Sequence, residues 1–104
     1  MLEALARAQF DAGHYAAAAG NFRRIVEASP TDDYAQFGLG LALARTGDPA
    51  AAAEHLALAV AMRPNLRHYT DALRSVRATL RARSAMRSGG DTHNGAETQN
   101  GSQD

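Results

Sequence analysis

The amino-acid sequence predicts an all-α protein with two antiparallel helix-turn-helix repeats and a solvating C-terminal helix, arranged as a short α-solenoid. The main observation is internal repetition with a period of 34 residues. Residues of the first half recur in the second, with Gly13, Ala18, Phe22 and Pro30 matched by Gly47, Ala52, Leu56 and Pro64. A period in this range is typical of stacked helical hairpins rather than of one globular core. Apolar residues at helical spacing, with glycine or proline at the expected helix ends, support the same class.

The first repeat, about residues 1–32, contains two predicted helices. The first helix covers about residues 2–12, where the apolar side chains have helical spacing. Gly13 ends it, because glycine enters the left-handed conformation of a helix C-terminus without strain. The second helix covers about residues 15–28. Pro30 then prevents its continuation, because proline lacks the N–H donor and clashes with the preceding turn.

The second repeat, about residues 33–66, follows the same plan. Thr31 is the predicted N-cap of its first helix, which ends at Gly47. Asp48 and the proline after it have the order that is favoured at a helix start, a capping side chain followed by proline at the first helical position. The helix that begins there is expected to run to about residue 62.

A fifth helix, about residues 66–87, is predicted to cap the array. It carries an apolar stripe suited to packing on the helix before it, formed by Tyr69, Leu73, Val76 and Leu80. A neighbouring stripe is basic and consists of Arg67, Arg74, Arg77 and Arg81. Because position 81 holds arginine where both repeats hold glycine, the helix is not expected to start a third repeat. We interpret it as the solvating end of a helical domain of residues 1–87.

The chain changes character after this helix, and residues 88–104 are predicted to be a disordered polar tail. They contain no large apolar side chain, so burial of apolar surface would not offset the conformational entropy lost on ordering them. They carry three acidic residues and no basic one, whereas residues 67–87 carry six arginines against Asp71 alone. The formal net charge is zero only because these regions cancel. No overall field therefore attracts nucleic acid or an acidic membrane.

The two units resemble the tetratricopeptide repeat family, whose consensus runs Trp-x-x-Leu-Gly-x-x-Tyr, then Ala-x-x-x-Phe, then Pro. The corresponding residues of the second unit are Gln36, Leu39, Gly40, Leu43, Ala52, Leu56 and Pro64. Those of the first unit are Leu2, Leu5, Ala6, Gln9, Ala18, Phe22 and Pro30. The missing tryptophan and tyrosine are changes of size at packing positions. The resemblance covers residues 1 to about 83 and implies a scaffold that binds another protein without catalysis.

The resemblance also implies where a partner would bind, because in this family the inner surface is built from the first helix of each repeat. Transferred to this chain, the candidate groove consists of Arg7, Phe10, Tyr34, Phe37, Gly38, Leu41 and Arg45, with Glu3 and Asp11 beside them. Tyr34 and Phe37 are expected to be apolar anchors, and Arg7 and Arg45 to steer an acidic flank. Gly38 is expected to open space where a ligand backbone approaches. Packing between helices is the competing interpretation of the aromatic residues.

No residue pattern indicates an enzyme, a cofactor or a metal site. The absence of cysteine excludes disulfides, thiolate metal sites and cysteine nucleophiles. The four histidines, His14, His55, His68 and His93, include no pair at the i, i+4 spacing of a helical metal site. No apolar run approaches the roughly 20 residues that span a bilayer. Since the first residues also lack the features of a signal peptide, a cytoplasmic protein is expected.

Two alternatives to the groove stay open. The arginine stripe could dock on nucleic acid or acidic lipid, but no aromatic residue lies within it for base stacking, so a solvated face is the favoured interpretation. The first helix exposes an apolar stripe where an earlier repeat would stack, formed by Met1, Leu5, Ala8 and Ala12. Weak homodimerisation through that helix is therefore the second alternative. The leading interpretation is a non-enzymatic scaffold whose groove binds a peptide or helix of a partner protein.

Overall fold

Helical hairpins build the described part of the protein. The computed structural model describes the backbone of residues 1–92 and the side-chain surroundings of residues 1–87. Within that part there is no strand, and the helices are α1 (Leu2–Asp11), α2 (Tyr15–Ala28), α3 (Asp33–Arg45), α4 (Pro49–Met62) and α5 (Arg67–Thr92). Each helix packs mainly on its neighbours in the chain. The predicted class, two helical hairpins followed by a further helix, is confirmed.

The turn inside each hairpin depends on a glycine in the left-handed region. Gly13 has φ of +85° and Gly47 has φ of +91°, values that a residue with a Cβ atom adopts only under strain. The amides that follow them donate to carbonyls five residues earlier, His14 to Gln9 at 2.8 Å and Asp48 to Leu43 at 2.9 Å. Both hairpins therefore turn in the same way, as the repeated glycine predicts.

Aspartate side chains cap the helices of the second repeat. The Oδ1 atom of Asp32 accepts a hydrogen bond from the Ala35 amide at 3.0 Å, and that of Asp48 accepts one from the Ala51 amide at 3.2 Å. The prediction for Asp48 is confirmed, whereas the prediction that Thr31 caps α3 is wrong by one residue. A carboxylate and a hydroxyl can both accept the capping hydrogen bond. Only the carboxylate carries a negative charge, which also interacts favourably with the positive end of the helix dipole.

The core repeats the same packing in both hairpins. Ala18 and Ala52 are fully buried, so the helices approach closely at these small side chains. Leu39 is also fully buried, whereas Leu5, its counterpart in the first repeat, is 49% exposed. The difference arises because α1 is the outermost helix at its end of the described chain, so nothing packs on its outer side. Burial of the core therefore increases from the first repeat to the second.

Helix α5 packs on α4 through the predicted stripe, in which Tyr69, Leu73 and Val76 are buried and Leu80 is partly buried. The Tyr69 hydroxyl donates a hydrogen bond of 2.6 Å to Asp33 Oδ2, which joins the start of α5 to the start of α3. Burial raises the pKa of Tyr69, and the hydrogen bond to Asp33 acts in the same direction, so the hydroxyl remains a donor. Arg63 Nε lies 3.6 Å from the other oxygen of Asp33. The solvating C-terminal helix α5 is thus held on α4 by apolar packing and on α3 by the hydrogen bond from Tyr69 to Asp33.

Helix α5 is longer than predicted. It was expected to end at about residue 87, with the tail beginning at residue 88, but it continues to Thr92. Neither Gly89 nor Gly90 ends the helix. An interior glycine costs a helix about 1 kcal/mol, but it keeps the backbone N–H that proline lacks. The rest of the predicted tail, residues 93–104, lies outside the described residues.

A chain of partly buried hydrogen bonds centred on Gln36 was not predicted. Gln36 occupies the position of the tryptophan in the repeat consensus and is 3% exposed. Its Nε2 donates to the Pro30 carbonyl at 3.0 Å, and its Oε1 lies 2.8 Å from His55 Nδ1. Because the amide oxygen can only accept, His55 Nδ1 must carry the proton. Burial lowers the pKa of His55, and the positive charge of Arg23 acts in the same direction.

The lowered pKa of His55 predicts that stability falls on mild acidification, from about pH 7.5 to about pH 5.5. The folded-state pKa lies below the unfolded value of 6.5, so the unfolded chain binds more protons in this range and is favoured as the pH falls. Thermal unfolding of the parent and of His55→Gln checks this, because glutamine keeps a donor but does not titrate. We expect a larger fall in midpoint temperature for the parent. Equal falls for the two proteins would contradict the role given to His55.

Candidate functional site

Six of the seven residues predicted for the groove line one cavity between α1 and α3, which we call the α1–α3 pocket. Its volume is about 150 Å³. The lining residues are Arg7, Phe10, Asp11, Phe22, Tyr34, Phe37, Gly38 and Leu41. Those of α3 recur at the three- and four-residue spacing that places side chains on one face of a helix. The structure therefore brings together most of the set that the repeat positions indicate.

The floor of the pocket is the ring of Phe22, which reaches it from α2 through a gap at Gly38. A Cβ atom on Gly38 would lie 2.5 Å from the Phe22 Cζ and 2.6 Å from its Cε1. The ring therefore fills the space that a side chain at position 38 would take, while Gly38 itself lines the cavity, and the approach of a ligand backbone to Gly38 stays a prediction. The sequence analysis named Phe22 as a repeat position and did not include it in the candidate groove. The available signal was the pairing of a large residue in one helix with glycine in the next.

Tyr34 and Phe37, the predicted anchors, both line the pocket but differ in their other contacts. Tyr34 is half-buried and meets the Phe22 ring edge-on, with ring centroids 6.1 Å apart. Phe37 stacks on Tyr69 at a centroid distance of 4.5 Å and contacts the His68 ring at 5.3 Å. Phe37 thus also attaches α5 to α3. Tyr34 is the better probe of binding, because its loss disturbs fewer contacts between helices.

Arg45, the seventh predicted residue, lies outside the pocket. Its guanidinium group donates a 2.7 Å hydrogen bond to the Tyr15 hydroxyl. It also lies over the rings of Tyr15 and Phe10, at 5.1 and 5.7 Å from their centroids. Arg45 is exposed, and its steering of an acidic flank stays a prediction. Aromatic rings attract the guanidinium, so it joins the end of α3 to the first hairpin.

The rim of the pocket carries one positive and one negative side chain from α1. Arg7 and Asp11 are exposed, and they stand one helical turn apart. Among residues 1–87, neither side chain forms an ion pair. Charges of both signs are therefore available beside an apolar cavity, and the steering role of Arg7 stays a prediction.

The alternative basic surface is exposed, as its sequence suggests. Arg67, Arg74, Arg77 and Arg81 all face solvent on α5. Arg74 Nη1 lies 3.0 Å from Asp71 Oδ1, so part of the positive charge is neutralised locally. A wide depression of about 590 Å³ near the start of α5 is lined by Pro64, Asn65, Arg67, Thr70, Asp71 and Arg74. Docking of nucleic acid or lipid on this surface stays a prediction.

The outer face of α1 is also exposed. Met1 is fully exposed and Leu5 is half exposed, and the stripe continues through Ala8 and Ala12. No other part of the described chain covers these residues. Weak homodimerisation through this face stays a prediction.

The structure offers few other features that would serve as a site. No group of three or more His, Asp or Glu residues in the described part of the chain could hold a metal ion. None of the helices in residues 1–92 is long and apolar enough to cross a membrane. The α1–α3 pocket is therefore the feature on which a functional interpretation can best be built.

Comparison with known proteins gives the family. The tetratricopeptide repeat model matches residues 3–66, which is more than half of the chain and includes both hairpins and the whole α1–α3 pocket. The match ends at Leu66, before α5 begins. The comparison with curated proteins found no match. The chain therefore belongs to the tetratricopeptide repeat family, and its paired turn glycines and buried alanines agree with this match.

Proposed function

We propose that the protein is a non-catalytic scaffold that binds a peptide or helical segment of a partner protein at the α1–α3 pocket. Tetratricopeptide repeats generally mediate protein–protein interaction, which supports the class of function. The observation that carries the choice of site is the convergence of Phe10, Tyr34, Phe37 and Leu41 on one cavity. An apolar cavity with a charged rim suits the burial of an anchor side chain from a partner.

The roles within the site follow from the contacts of each residue. Tyr34 and Phe37 supply the aromatic wall on the α3 side, where Tyr34 is held against Phe22 and Phe37 against Tyr69. Walls that are fixed before binding lose little conformational entropy when a partner arrives. Arg7 at the rim attracts an acidic residue of the partner, chiefly at low ionic strength.

Selection of peptides from a random display library on the immobilised protein tests this proposal. For a selected peptide we expect Tyr34→Ala to weaken binding by about 2 kcal/mol, roughly 30-fold, because buried aromatic anchors dominate such affinities. Arg7→Ala should have a smaller effect that decreases as salt is added. Titration calorimetry of the parent and variants gives both numbers.

The matched control is Arg77→Ala, a substitution on the exposed stripe of α5 that should leave the affinity unchanged. Phe37→Ala should weaken binding as well, but it also removes the stack on Tyr69, so its thermal midpoint must be measured beside its affinity. Peptides that bind Tyr34→Ala as tightly as the parent, and lose affinity with Arg77→Ala, would place the site on α5.

A further inference from the structure

We infer that the side of α5 around Arg67, Thr70 and Arg74, which we call the α5 docking face, binds an acidic α-helix of another protein. That helix packs beside α5 as α4 packs beside α3. The inference goes beyond the function proposed above and does not rest on it. The wide depression on the α5 docking face shares no lining residue with the α1–α3 pocket.

In the second repeat, the corresponding side of α3 is covered by α4. Gln36 Oε1 lies 2.8 Å from His55 Nδ1, and a Cβ atom on Gly40 would lie 2.7 Å from Leu56 Cγ. His55 and Leu56 both belong to α4, the second helix of that hairpin. Positions 36 and 40 of α3 therefore mark the side on which the second helix of a hairpin packs.

The same side of α5 carries no helix in the described part of the chain, where α5 packs only on α4 and α3. Thr70 and Arg74 follow Gln36 and Gly40 by 34 residues. The pair on α3 is buried, whereas Arg74 is exposed and Thr70 is half-buried. Both residues of α5 line the wide depression. The depression thus lies where the second helix of a third repeat would pack, so an α-helix suits its position in the fold.

The side chains of the α5 docking face determine the character of that helix. Glycine at position 40 admits the apolar Leu56, but the equivalent position of α5 holds Arg74. An apolar helix packed there would bury guanidinium groups without partners, which is unfavourable. A helix that carries carboxylates would instead form charge-assisted hydrogen bonds with Arg67 and Arg74. Arg67 forms no ion pair among residues 1–87, and Arg74 pairs only with the exposed Asp71.

A second copy of the chain does not supply such a helix. None of the helices α1 to α4 carries more than two acidic residues. The two of α1, Glu3 and Asp11, have Arg7 midway between them. The occupant is therefore a helix of a different protein, in which aspartate or glutamate recurs every three or four residues along one face.

A synthetic alanine-rich peptide of about 20 residues, with glutamates three and four residues apart along one face, is the probe. The control peptide has the same composition, with its glutamates distributed evenly around the helix. Both are titrated into the full chain at low salt, where calorimetry gives the affinity and amide NMR signals give the site. Arg67→Glu and Arg74→Glu reverse charges on the α5 docking face. Arg24→Glu makes the same change on the exposed side of α2.

The one-faced peptide should shift the amide signals of Arg67, Thr70 and Arg74 and should bind at least about fivefold more tightly than the control peptide. Arg67→Glu and Arg74→Glu should each weaken its binding about tenfold, and Arg24→Glu by less than about twofold. Arg67→Glu leaves the pair between Arg74 and Asp71 intact, so its effect reports on the face itself.

Equal binding of the two peptides would overturn the inference, because net charge alone would then explain the affinity. Unchanged affinity in Arg67→Glu and Arg74→Glu, or shifts confined to other parts of the chain, would overturn it as well. So would tighter binding of a DNA duplex, or of vesicles containing phosphatidylserine, than of the one-faced peptide at the same salt concentration.

Discussion

Leu73→Asp should destabilise the protein by about 3–5 kcal/mol. Leu73 is buried between α5 and α4, so the substitution removes an apolar side chain from the core and places a carboxylate there without a partner. Small domains have only about 5–15 kcal/mol of stability in total. We therefore expect a large fall in the urea midpoint, measured by far-ultraviolet circular dichroism.

Arg77→Ala is the matched control for this prediction, since it changes an exposed residue on the same helix only four positions away. Its stability should differ from that of the parent by less than about 0.5 kcal/mol. A Leu73→Asp protein that unfolds at the same urea concentration as the parent would show that α5 does not seal α4. The assignment of α5 as the solvating end of the domain would then fail.

Gly38→Ala should also destabilise the protein, by roughly 1–3 kcal/mol, against the usual effect of this change in a helix. Alanine ordinarily stabilises a helix interior by about 1 kcal/mol relative to glycine. At Gly38, however, the new methyl group would lie 2.5 Å from a carbon of the buried Phe22 ring, so the ring or helix α3 would have to shift. Overpacking then outweighs the gain in helix propensity. Thermal and urea unfolding would both measure the difference.

Gly20 supplies the control, because a Cβ atom there meets nothing within 4 Å. Gly20→Ala should therefore stabilise the protein by up to about 1 kcal/mol. The double variant Phe22→Leu with Gly38→Ala should recover much of the loss. It recreates the pair found 34 residues later, where the chain has Leu56 and Ala72. Equal stabilisation by Gly20→Ala and Gly38→Ala would contradict the close approach of Phe22 to α3.

The fold could be predicted from the sequence because its determinants are local and occur twice. Gly13 and Gly47 each end a helix in the same conformation, and Asp48 caps the next helix as expected. The end of α5 could not be predicted equally well. Paired glycines weaken a helix without forbidding it, so Gly89 did not mark the boundary that a proline would have marked.

The candidate site was only partly predictable, because its details depend on contacts between distant helices. Repeat positions indicated the walls of the pocket, including Tyr34 and Phe37. They could not show that the Phe22 side chain enters the pocket from α2. Periodicity assigns a residue to a helix face but does not say how far its side chain extends between neighbouring helices. They also could not show that Arg45 is held by Tyr15, because that contact joins residues 30 positions apart on different repeats.

Chemical-shift mapping with a selected peptide is the measurement that tests the proposed site most directly. Amide and side-chain signals of the full chain would be compared with and without saturating peptide. If the α1–α3 pocket binds the partner segment, the largest changes should fall on Phe10, Tyr34, Phe37 and Leu41, with little change on the exposed face of α5. Changes concentrated instead on Arg67, Arg74, Arg77 and Arg81, with the pocket signals unmoved, would contradict it.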